Sequence, residues 1–412
     1  MNVGFVVTEL LDGRFVPWEK CLEWESYLDL YCLALRERGH TCVKYVPSIG
    51  VSRTESYMHK FGHEVKRVPA HNALIAPRGL LRSRSYEGGL TTIFRQMLGP
   101  AFTLNLQREA RRDGVAILHY SSYYSLFFTP AFLISEMIPF VTQYTGGALP
   151  QTEPSRLIWQ LSVLPSLKSS NAVLLGDYRS EKRSLVHGLC VPLRKLEFFN
   201  APIVDSRVFH EHDKAEAQSS LGFDQSVRNV LCVSYIPPRH TLELAKDPYL
   251  MLDIMKQVCG QRGEEVVLYV AGWGVGFDEF REYIKERGME EHVHLLGMVD
   301  HQKLPVYYSA CDLVFLPIRL EKLNEGSVTI EAFACRRPVV AFKRHTTDDE
   351  EQQGGFLVED NVSRGSQGFG VRVRDKGYLE EKGREGILMA QQFTLQTAGK
   401  RLEEVYTKVL RF

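Results

Sequence analysis

The chain has 412 residues, of which 44% are hydrophobic and 24% are charged. These proportions are typical of a soluble globular protein and exclude a disordered, collagen-like or coiled-coil chain, and the length predicts two domains at about 100 to 200 residues each. The 50 basic and 50 acidic side chains cancel, which argues against a protein held to nucleic acid by its overall charge.

Apolar runs alternate with helical periodicity through the first half. The strand candidates in this half are NVGFVVTEL, TCVKYVP, HEVKRVPA, VAILHYSS, PFVTQYTG and AVLLGDY. Between the first two, Trp24, Leu28, Tyr31 and Leu35 recur at helical spacing, and Gly39 ends the helix. This alternation predicts a parallel sheet with helices on both faces.

The sequence turns polar from about residue 205 to 228, and we place the domain boundary in this segment. The alternation then restarts, with predicted strands at 229–236, 265–271, 292–299, 313–318 and 338–342. The last segment has the pattern of one long amphipathic helix with no strand after it. We therefore predict an α/β protein with two Rossmann-like, doubly wound domains, 1–210 and 211–385, that face a cleft. The final helix, 386–412, is expected to pack across the domain junction onto the N-domain.

The segment EGSVTIEAFACRRPVVAF, residues 325–342, combines a helix start with a solitary carboxylate. The unpaired N–H groups at a helix start suit a phosphate. If Ser327 is the N-cap, the capping-box position falls on Ile330 and leaves Glu331 without a capping role. Because a buried carboxylate needs partners, the hydroxyls of a ribose suit Glu331. The alternative is a carboxylate that only faces the helix dipole.

Several segments, in chain order, resemble the motifs of the family 4 retaining glycosyltransferases, which have the two-Rossmann-domain GT-B fold. The string EAFACRRPVVAF is close to "EAMACGxPVVA" of that family. The other matching segments are RGHTCVKYVP, VAILHYSSYYS, IPFVTQYTGG, NAPIVDSRVF, AKDPYLMLDIM, VVLYVAGWG, HVHLLGMVDHQKLPVYYSACDLVFLP and FTLQTAGKRLEEVYTKVL. The resemblance covers nearly the whole chain. It implies an enzyme that transfers a sugar from a nucleotide diphosphate sugar to an acceptor with retention at the anomeric carbon.

The resemblance also implies a donor site in the C-terminal half. In the family's E-x7-E pair the second acid holds the donor ribose and corresponds to Glu331, whereas the first falls on Leu323. Glu325 is then our candidate for the contact to the donor sugar, and the alternative is a solvated loop acid. The remaining donor-binding candidates are the amides of Gly326, Ser327 and Val328 for the diphosphate, and Gly272, Gly274 and Met298 beside the nucleotide.

Two cations neutralise the departing diphosphate in that family, an Arg and a Lys after the first strand of the C-domain. In this chain, Tyr235 occupies the position that corresponds to the Arg. Lys246 matches the Lys by its KDP context, and Arg239 is the nearest guanidinium that could replace the Arg. Such charge stabilisation is usually the largest single contribution to catalysis. The predicted catalytic residues are therefore Lys246, Arg239 and Glu325, and the alternative for Lys246 is an ordinary surface lysine.

The acceptor side departs from the family pattern. Thr145 stands where "qyHGG" has a His near the transferred sugar, while Gly146 and Gly147 keep the tight turn. A turn that serves only the strand end is the alternative. Of the Gly-rich loop after the first strand, only Gly13 remains.

No two aspartates stand two apart, so the DxD metal clamp of the other main glycosyltransferase fold is absent. We therefore expect recognition of the donor without a metal and without a further cofactor. The alternatives in function are a catalytically inactive binder of sugar nucleotides, suggested by Leu323, Tyr235 and Thr145, and a nucleotide-sugar 2-epimerase on the same fold.

The overall neutrality hides two oppositely charged halves. Residues 1–200 carry 23 basic and 17 acidic groups, and the remainder carries 27 and 33. The basic residues of 51–112 suit an anionic acceptor or the surface of a membrane, and the alternative is a solvated charged face. The expected partners are a nucleotide sugar and a glycan, lipid-linked or small-molecule acceptor, with no nucleic acid.

The eight cysteines are scattered and contain no CxxC pair, which is typical of a reduced, intracellular protein. The sequence shows no signal-peptide pattern and no uninterrupted apolar stretch of about 20 residues. We therefore predict a cytoplasmic protein, which is either free in the cytoplasm or peripheral at the inner face of a membrane.

Overall fold

The structure is a computed structural model that describes residues 1–7, 27–48, 51–69, 102–121, 138–144, 167–176, 191–199, 202–239, 246–260, 265–345 and 347–411. The chain divides into two compact units. The first comprises Met1–Ala201 and Leu395–Phe412, and the second Pro202–Thr394. The sequence analysis had set these limits at 210/211 and 385/386.

Both units are built from strands connected by helices. The strands are β1 (Asn2–Val6), β2 (Thr41–Ser48), β3 (Glu55–Met58), β4 (Glu64–Pro69), β5 (Ile117–Tyr120), β6 (Phe140–Tyr144), β7 (Ala172–Leu175), β8 (Leu196–Phe198), β9 (Arg228–Val233), β10 (Val266–Ala271), β11 (Val293–Gly297), β12 (Leu313–Leu320), β13 (Val339–Lys343), β14 (Glu351–Gln352) and β15 (Gly355–Val358). The helices are α1 (Tyr27–Arg36), α2 (Lys214–Leu221), α3 (Pro248–Cys259), α4 (Phe277–Glu286), α5 (Leu304–Ala310), α6 (Ser327–Ala334), α7 (Val362–Arg374), α8 (Lys376–Ala390) and α9 (Leu395–Leu410). Residues 102–112 are also helical.

The first unit contains an eight-stranded sheet in the order β3-β4-β2-β1-β5-β6-β7-β8. Every pairing is parallel except that of β3 with β4. The inner strands β1, β5, β6 and β7 are almost fully buried, as expected for a parallel sheet covered on both faces. The six predicted strands are present, whereas the short strands β3 and β8 were not predicted.

The second unit contains a seven-stranded sheet in the order β11-β10-β9-β12-β13-β15-β14. Only β14 and β15 pair in antiparallel fashion. Two buried apolar clusters cover its two faces, one containing Phe333 and one containing Phe315. The predicted α/β class, with two parallel-dominated sheets and connecting helices, is confirmed.

The polar segment 205–228, which we interpreted as the boundary, is an ordered part of the second unit. Asp213 caps α2 by accepting a hydrogen bond from the Glu216 amide at 2.9 Å. Phe209 and Phe223 lie in the core, each at most 5% exposed. The exposed face of α2 accounts for many of the polar residues in this segment.

The predicted single helix over 386–412 is two helices. α8 ends at Ala390, a 3-10 turn covers Gln391–Phe393, and α9 begins at Leu395. The chain breaks there because Phe393 is buried in the second core and its carbonyl accepts a hydrogen bond of 2.9 Å from the Val204 amide.

The last helix, α9, belongs to the first unit, where it packs against α1. Its Tyr406 hydroxyl lies 2.6 Å from Nδ1 of His119 on β5, and both side chains are fully buried. A search of the described residues for helices long and apolar enough to cross a membrane finds none.

Candidate functional site

Lys246 lies beside the carboxyl ends of two neighbouring strands, β9 and β12, in the second unit. It forms an isolated β-bridge with Ile318 of β12. The backbone amide of the next residue, Asp247, donates a hydrogen bond of 2.6 Å to the carbonyl of Pro317. The side chain of Asp247 caps the start of α3 by accepting a hydrogen bond from the Leu250 amide. The edge formed by the carboxyl ends of the strands is where open α/β sheets bind their ligands.

The ammonium group of Lys246 is partly buried and makes no hydrogen bond or ion pair with any described residue. Burial lowers its pKa, and the one charge interaction that opposes this comes from Cys232. The thiol of Cys232 is no counterion, because burial raises its pKa to about 12. A partly desolvated cation without an anion is costly, so the position suits an anionic ligand.

The helix α6 begins with free amides. Gly326 is the N-cap, in an extended conformation, and Ser327, which was considered above as a possible N-cap, is the first helical residue. No side chain caps this helix. The Thr329 amide bonds to the Gly326 carbonyl, while the amides of Ser327 and Val328 have no acceptor among the described residues.

The hydroxyl of Thr329 extends this unsatisfied set. It is fully buried and has no hydrogen-bond partner within the part of the chain that the structure describes. Gly326 leaves open space beside it, since a Cβ built there would meet only that hydroxyl, at 3.8 Å. The start of α6 therefore offers unpaired donors, a positive dipole end and room for an anion.

Glu331 has protein partners, contrary to the premise that it is solitary. His301 Nε2 lies 3.0 Å from its Oε1, and the Tyr308 hydroxyl donates to its Oε2 at 3.0 Å. Burial, followed by the charge of Glu331, raises the pKa of Tyr308 well above its usual value, so the phenol stays protonated. Because each carboxylate oxygen can accept two hydrogen bonds, these contacts orient Glu331 and leave lone pairs for a ligand.

Glu325 is not a solvated loop acid. Its Oε1 accepts hydrogen bonds from the amides of Glu321 and Lys322, at 2.8 and 2.9 Å, and its Oε2 lies 3.4 Å from Arg344. Burial raises the pKa of its carboxyl. The carboxylate therefore holds the turn that precedes α6. Leu323, at the position of the family's first acid, is 1% exposed in the core.

The GWGVG loop, residues 272–276, runs against residues 234–237. A Cβ on Gly272, Gly274 or Gly276 would collide with the carbonyl of Ser234, Ile236 or Pro237, respectively. The Gly276 amide donates to the Ile236 carbonyl at 3.1 Å, and the Ile236 amide donates to the Trp273 carbonyl at 3.3 Å. The glycines are explained by this close backbone pairing, which the sequence analysis had not anticipated.

Four large apolar side chains are exposed where β9, β10 and β11 end. They are Tyr235, Trp273, Val275 and Met298, each between 44% and 69% exposed. The three strands are neighbours in the sheet, so these side chains share its carboxyl edge with Lys246 and the start of α6. Met298 was predicted from sequence to lie beside the nucleotide, whereas Tyr235 and Trp273 were not predicted as binding residues.

Arg239 is accounted for by protein contacts. Its guanidinium lies over the rings of Tyr283 and Tyr249, 4.6 and 5.9 Å from their centroids, and its amide donates to Glu279. It is exposed and packs on α3 and α4. Its predicted role beside the leaving group stays a prediction.

The residues predicted for the acceptor side, Thr145, Gly146, Gly147 and Gly13, lie outside the described residues.

The described residues contain one group of three potential metal ligands, Asp29, His59 and His63. Lys44 Nζ already contacts both oxygens of Asp29, at 2.7 and 2.9 Å. His59 Nδ1 accepts the Phe61 amide, so the proton of the neutral ring is on Nε2, which leaves that ring no lone pair for a metal. The group is better explained as a buried ion pair flanked by two imidazoles.

Comparisons with known proteins find similarity to glycosyltransferases. Residues 235–365 match the family model "Glycosyl transferases group 1". This segment contains Lys246, the GWGVG loop, Glu331 and the start of α6.

Among the curated relatives, D-inositol 3-phosphate glycosyltransferase of Segniliparus rotundus is 29% identical over 216 residues, which is 51% of this chain and 46% of that protein. The chain spans between 30% and 60% of the length of the curated relatives it matches.

Solved structures match over the full length. Sucrose-phosphate synthase from Thermosynechococcus elongatus superposes with a TM-score of 0.73 at 15% identity, covering 100% of this chain and 99% of that one. HepE of Anabaena, in complex with UDP and glucose, gives a TM-score of 0.68 at 16% identity, with 98% and 99% covered. The fold is the two-domain GT-B fold.

Proposed function

We propose that the protein is a retaining glycosyltransferase that takes a sugar from a nucleotide diphosphate sugar without a metal. The observation that carries this proposal is the Lys246 ammonium beside the carboxyl ends of β9 and β12, which has no hydrogen-bond or ion-pair partner among the described residues. A cation in that position suits a diphosphate that gains negative charge as it leaves. The match of residues 235–365 to a glycosyl transferases model supports the reaction class.

The remaining groups on the same edge supply what a sugar nucleotide needs. The Ser327 and Val328 amides suit the phosphates, the oriented Glu331 carboxylate suits the ribose hydroxyls, and the exposed ring of Tyr235 or Trp273 suits the face of a base. Glu325 shapes the turn before α6, so we assign it a positioning role rather than a contact to the sugar.

In the proposed reaction, the bond between the anomeric carbon and the diphosphate oxygen breaks, and a bond to an acceptor hydroxyl oxygen forms. The hydroxyl proton goes to the departing phosphate oxygen or to water, and the product is a nucleoside diphosphate. Retention means that the new bond forms on the same face of the sugar from which the diphosphate departs. Lys246 would act by lowering the energy of the developing charge.

We propose that the enzyme acts in the cytoplasm. The described cysteines support a reducing compartment because all of them are free thiols. They are Cys32, Cys42, Cys232, Cys259, Cys311 and Cys335.

The test is a panel of UDP-, GDP- and ADP-sugars in two assays. A thermal-shift assay identifies the donor, and release of nucleoside diphosphate, with and without added acceptors and without divalent metal, reports transfer or slow hydrolysis. NMR of the product gives the anomeric configuration. Protection by a donor without any release would identify an inactive binder, and conversion of the donor to an epimer would identify a 2-epimerase.

A further inference from the structure

A polar pocket of about 450 Å³ opens on the first unit. Its walls come from residues 52–56, which follow β2 and enter β3, from Lys66 and Pro69 of β4, and from the helical segment that contains Asn105, Arg108 and Arg112. The volume lies within the range of small-molecule sites. Pro69 ends β4 and residue 52 follows β2, so the pocket lies toward the carboxyl ends of two parallel strands, where such sheets bind ligands.

Among the described residues, four cationic side chains and one acid line this pocket. They are Arg53, Lys66, Arg108 and Arg112, and the acid is Glu109. Glu109 is already engaged, because Arg112 contacts it at 2.9 Å. Lys66 is held by Asp113 at 2.6 Å. The described lining of the pocket therefore carries more positive than negative charge.

Arg53 and Arg108 carry that excess. Neither forms a hydrogen bond or an ion pair with any other residue that the structure describes. Both are exposed, and they approach the same pocket from separate segments of the chain. Two guanidinium groups that line one concave site, and that have no partner in the described part of the chain, provide the planar donor pairs that bind phosphate oxygens.

The rest of the lining is also made of hydrogen-bonding groups. Ser52 and Thr54 contribute hydroxyls. The side-chain amide of Asn105 donates a hydrogen bond of 3.1 Å to the Pro69 carbonyl, and this contact fixes the orientation of the Asn105 side chain. Hydroxyl donors next to guanidinium groups complete a shell around a phosphate, whereas an apolar ligand would leave all of these groups unsatisfied.

We propose that this pocket binds the phosphate group of a phosphorylated ligand. The chemistry is that of a phosphate monoester, carried either by a free small molecule or by a lipid headgroup. The pocket shares no described residue with the proposed donor site, because its described lining lies within residues 52–112 of the first unit and Lys246 and α6 belong to the second. It therefore stands or fails independently of the proposed function.

The experiment measures binding of inorganic phosphate to the full-length protein by titration calorimetry at constant ionic strength. The double variant R53Q/R108Q is expected to bind phosphate at least tenfold more weakly than the wild type. R194Q, which removes an exposed arginine of the same unit outside the pocket, is expected to bind like the wild type. Because phosphate could also bind in the second unit, K246M is titrated in parallel and is expected to retain the Arg53-dependent site.

A second set of measurements separates the sources of the phosphate. Glycerol 3-phosphate represents a free ligand, and phosphatidylcholine vesicles with phosphatidic acid represent a headgroup. Loss of either interaction in R53Q/R108Q, but not in R194Q, supports the pocket and identifies the source. The charge-preserving variant R53K/R108K is expected to bind phosphate with intermediate affinity, which guards against misfolding of the Gln variant. Equal binding of both phosphate and vesicles by R53Q/R108Q and wild type, or no phosphate binding by the wild type, would overturn the proposal.

Discussion

The Tyr308 hydroxyl donates a hydrogen bond of 3.0 Å to Oε2 of Glu331, from a helix that lies 23 residues earlier in the chain. Both side chains are at most 7% exposed. The position of the carboxylate therefore depends on α5, and a change in α5 is expected to reach the proposed ribose contact without touching a donor.

Tyr308→Phe is expected to lower the free energy of unfolding by about 2 kcal/mol, because a buried hydrogen bond to a charged group is lost. It is also expected to weaken donor binding, since Glu331 keeps only His301 as a fixed partner. Urea unfolding and donor titration measure the two effects. Tyr307→Phe is the control, because the Tyr307 hydroxyl makes no hydrogen bond with the described residues; an equal loss in both variants would contradict the assignment.

Lys246→Met is expected to reduce release of nucleoside diphosphate by about a hundredfold or more. It is not expected to destabilise the fold, because burial already lowers the pKa of Lys246 and the charged form gains no partner. The melting temperature is therefore expected to stay the same or to rise. Lys256→Met, on the exposed side of α3, is the matched control. A variant that keeps wild-type turnover would remove the main support for the proposed function.

Two glycine substitutions are expected to separate a binding role from a structural one. Gly326→Ala adds a methyl group in open space at the start of α6, so we expect weaker donor binding with stability lowered by at most about 1 kcal/mol, because Ala is a poorer N-cap than Gly. Gly274→Ala drives a Cβ into the Ile236 carbonyl and is expected to cost about 1 to 3 kcal/mol. Thermal unfolding and donor titration of the two variants distinguish them, and a stable Gly274→Ala protein would refute the close pairing of the two loops.

His119 makes the first unit sensitive to acid. Burial lowers its pKa to about 3 from 6.5, so between those values the unfolded chain binds a proton that the folded chain does not. The unfolding free energy is therefore expected to fall by about 1.4 kcal/mol per pH unit as the pH drops below 6.5. His119→Gln is expected to reduce this slope in urea unfolding from pH 7 to 5, and His210→Gln, at an exposed position, is not. Identical slopes for His119→Gln and wild type would contradict this prediction.

Most strands of both sheets could be predicted from sequence because buried parallel strands are short apolar runs, as in Val266–Ala271. The strands β3, β8, β14 and β15 were not predicted. The helix α7 could not be predicted from sequence. It contains Gly365, Gly368 and Gly370, which favour a loop in sequence terms. The structure needs Gly365 to be small, because a Cβ there would meet Ile254 of α3 and the Glu359 carbonyl. Tertiary packing therefore overrides local propensity at this position.

The site was predictable where one short segment carries it and not where distant segments meet. Glu331 and the start of α6 stand out in a single string of sequence. Its partners His301 and Tyr308 carry no local signal, because they reach the carboxylate from 30 and 23 residues away. The pairing of residues 272–276 with 234–237 is likewise a contact between two loops, and no spacing within either loop reports it.

The β-bridge between Val204 and Thr394 joins the two ends of the second unit. In chain terms, the second unit is an insertion into the first. The first unit needs α9, because Tyr406 of this helix contacts His119 of β5. During synthesis, the second unit can complete its sheet before the ribosome has released the helix that finishes the first. A truncated chain that ends at Thr394 would keep every described strand of the second sheet but lack the helix whose Tyr406 contacts His119, so the first unit depends on a segment made after the second unit.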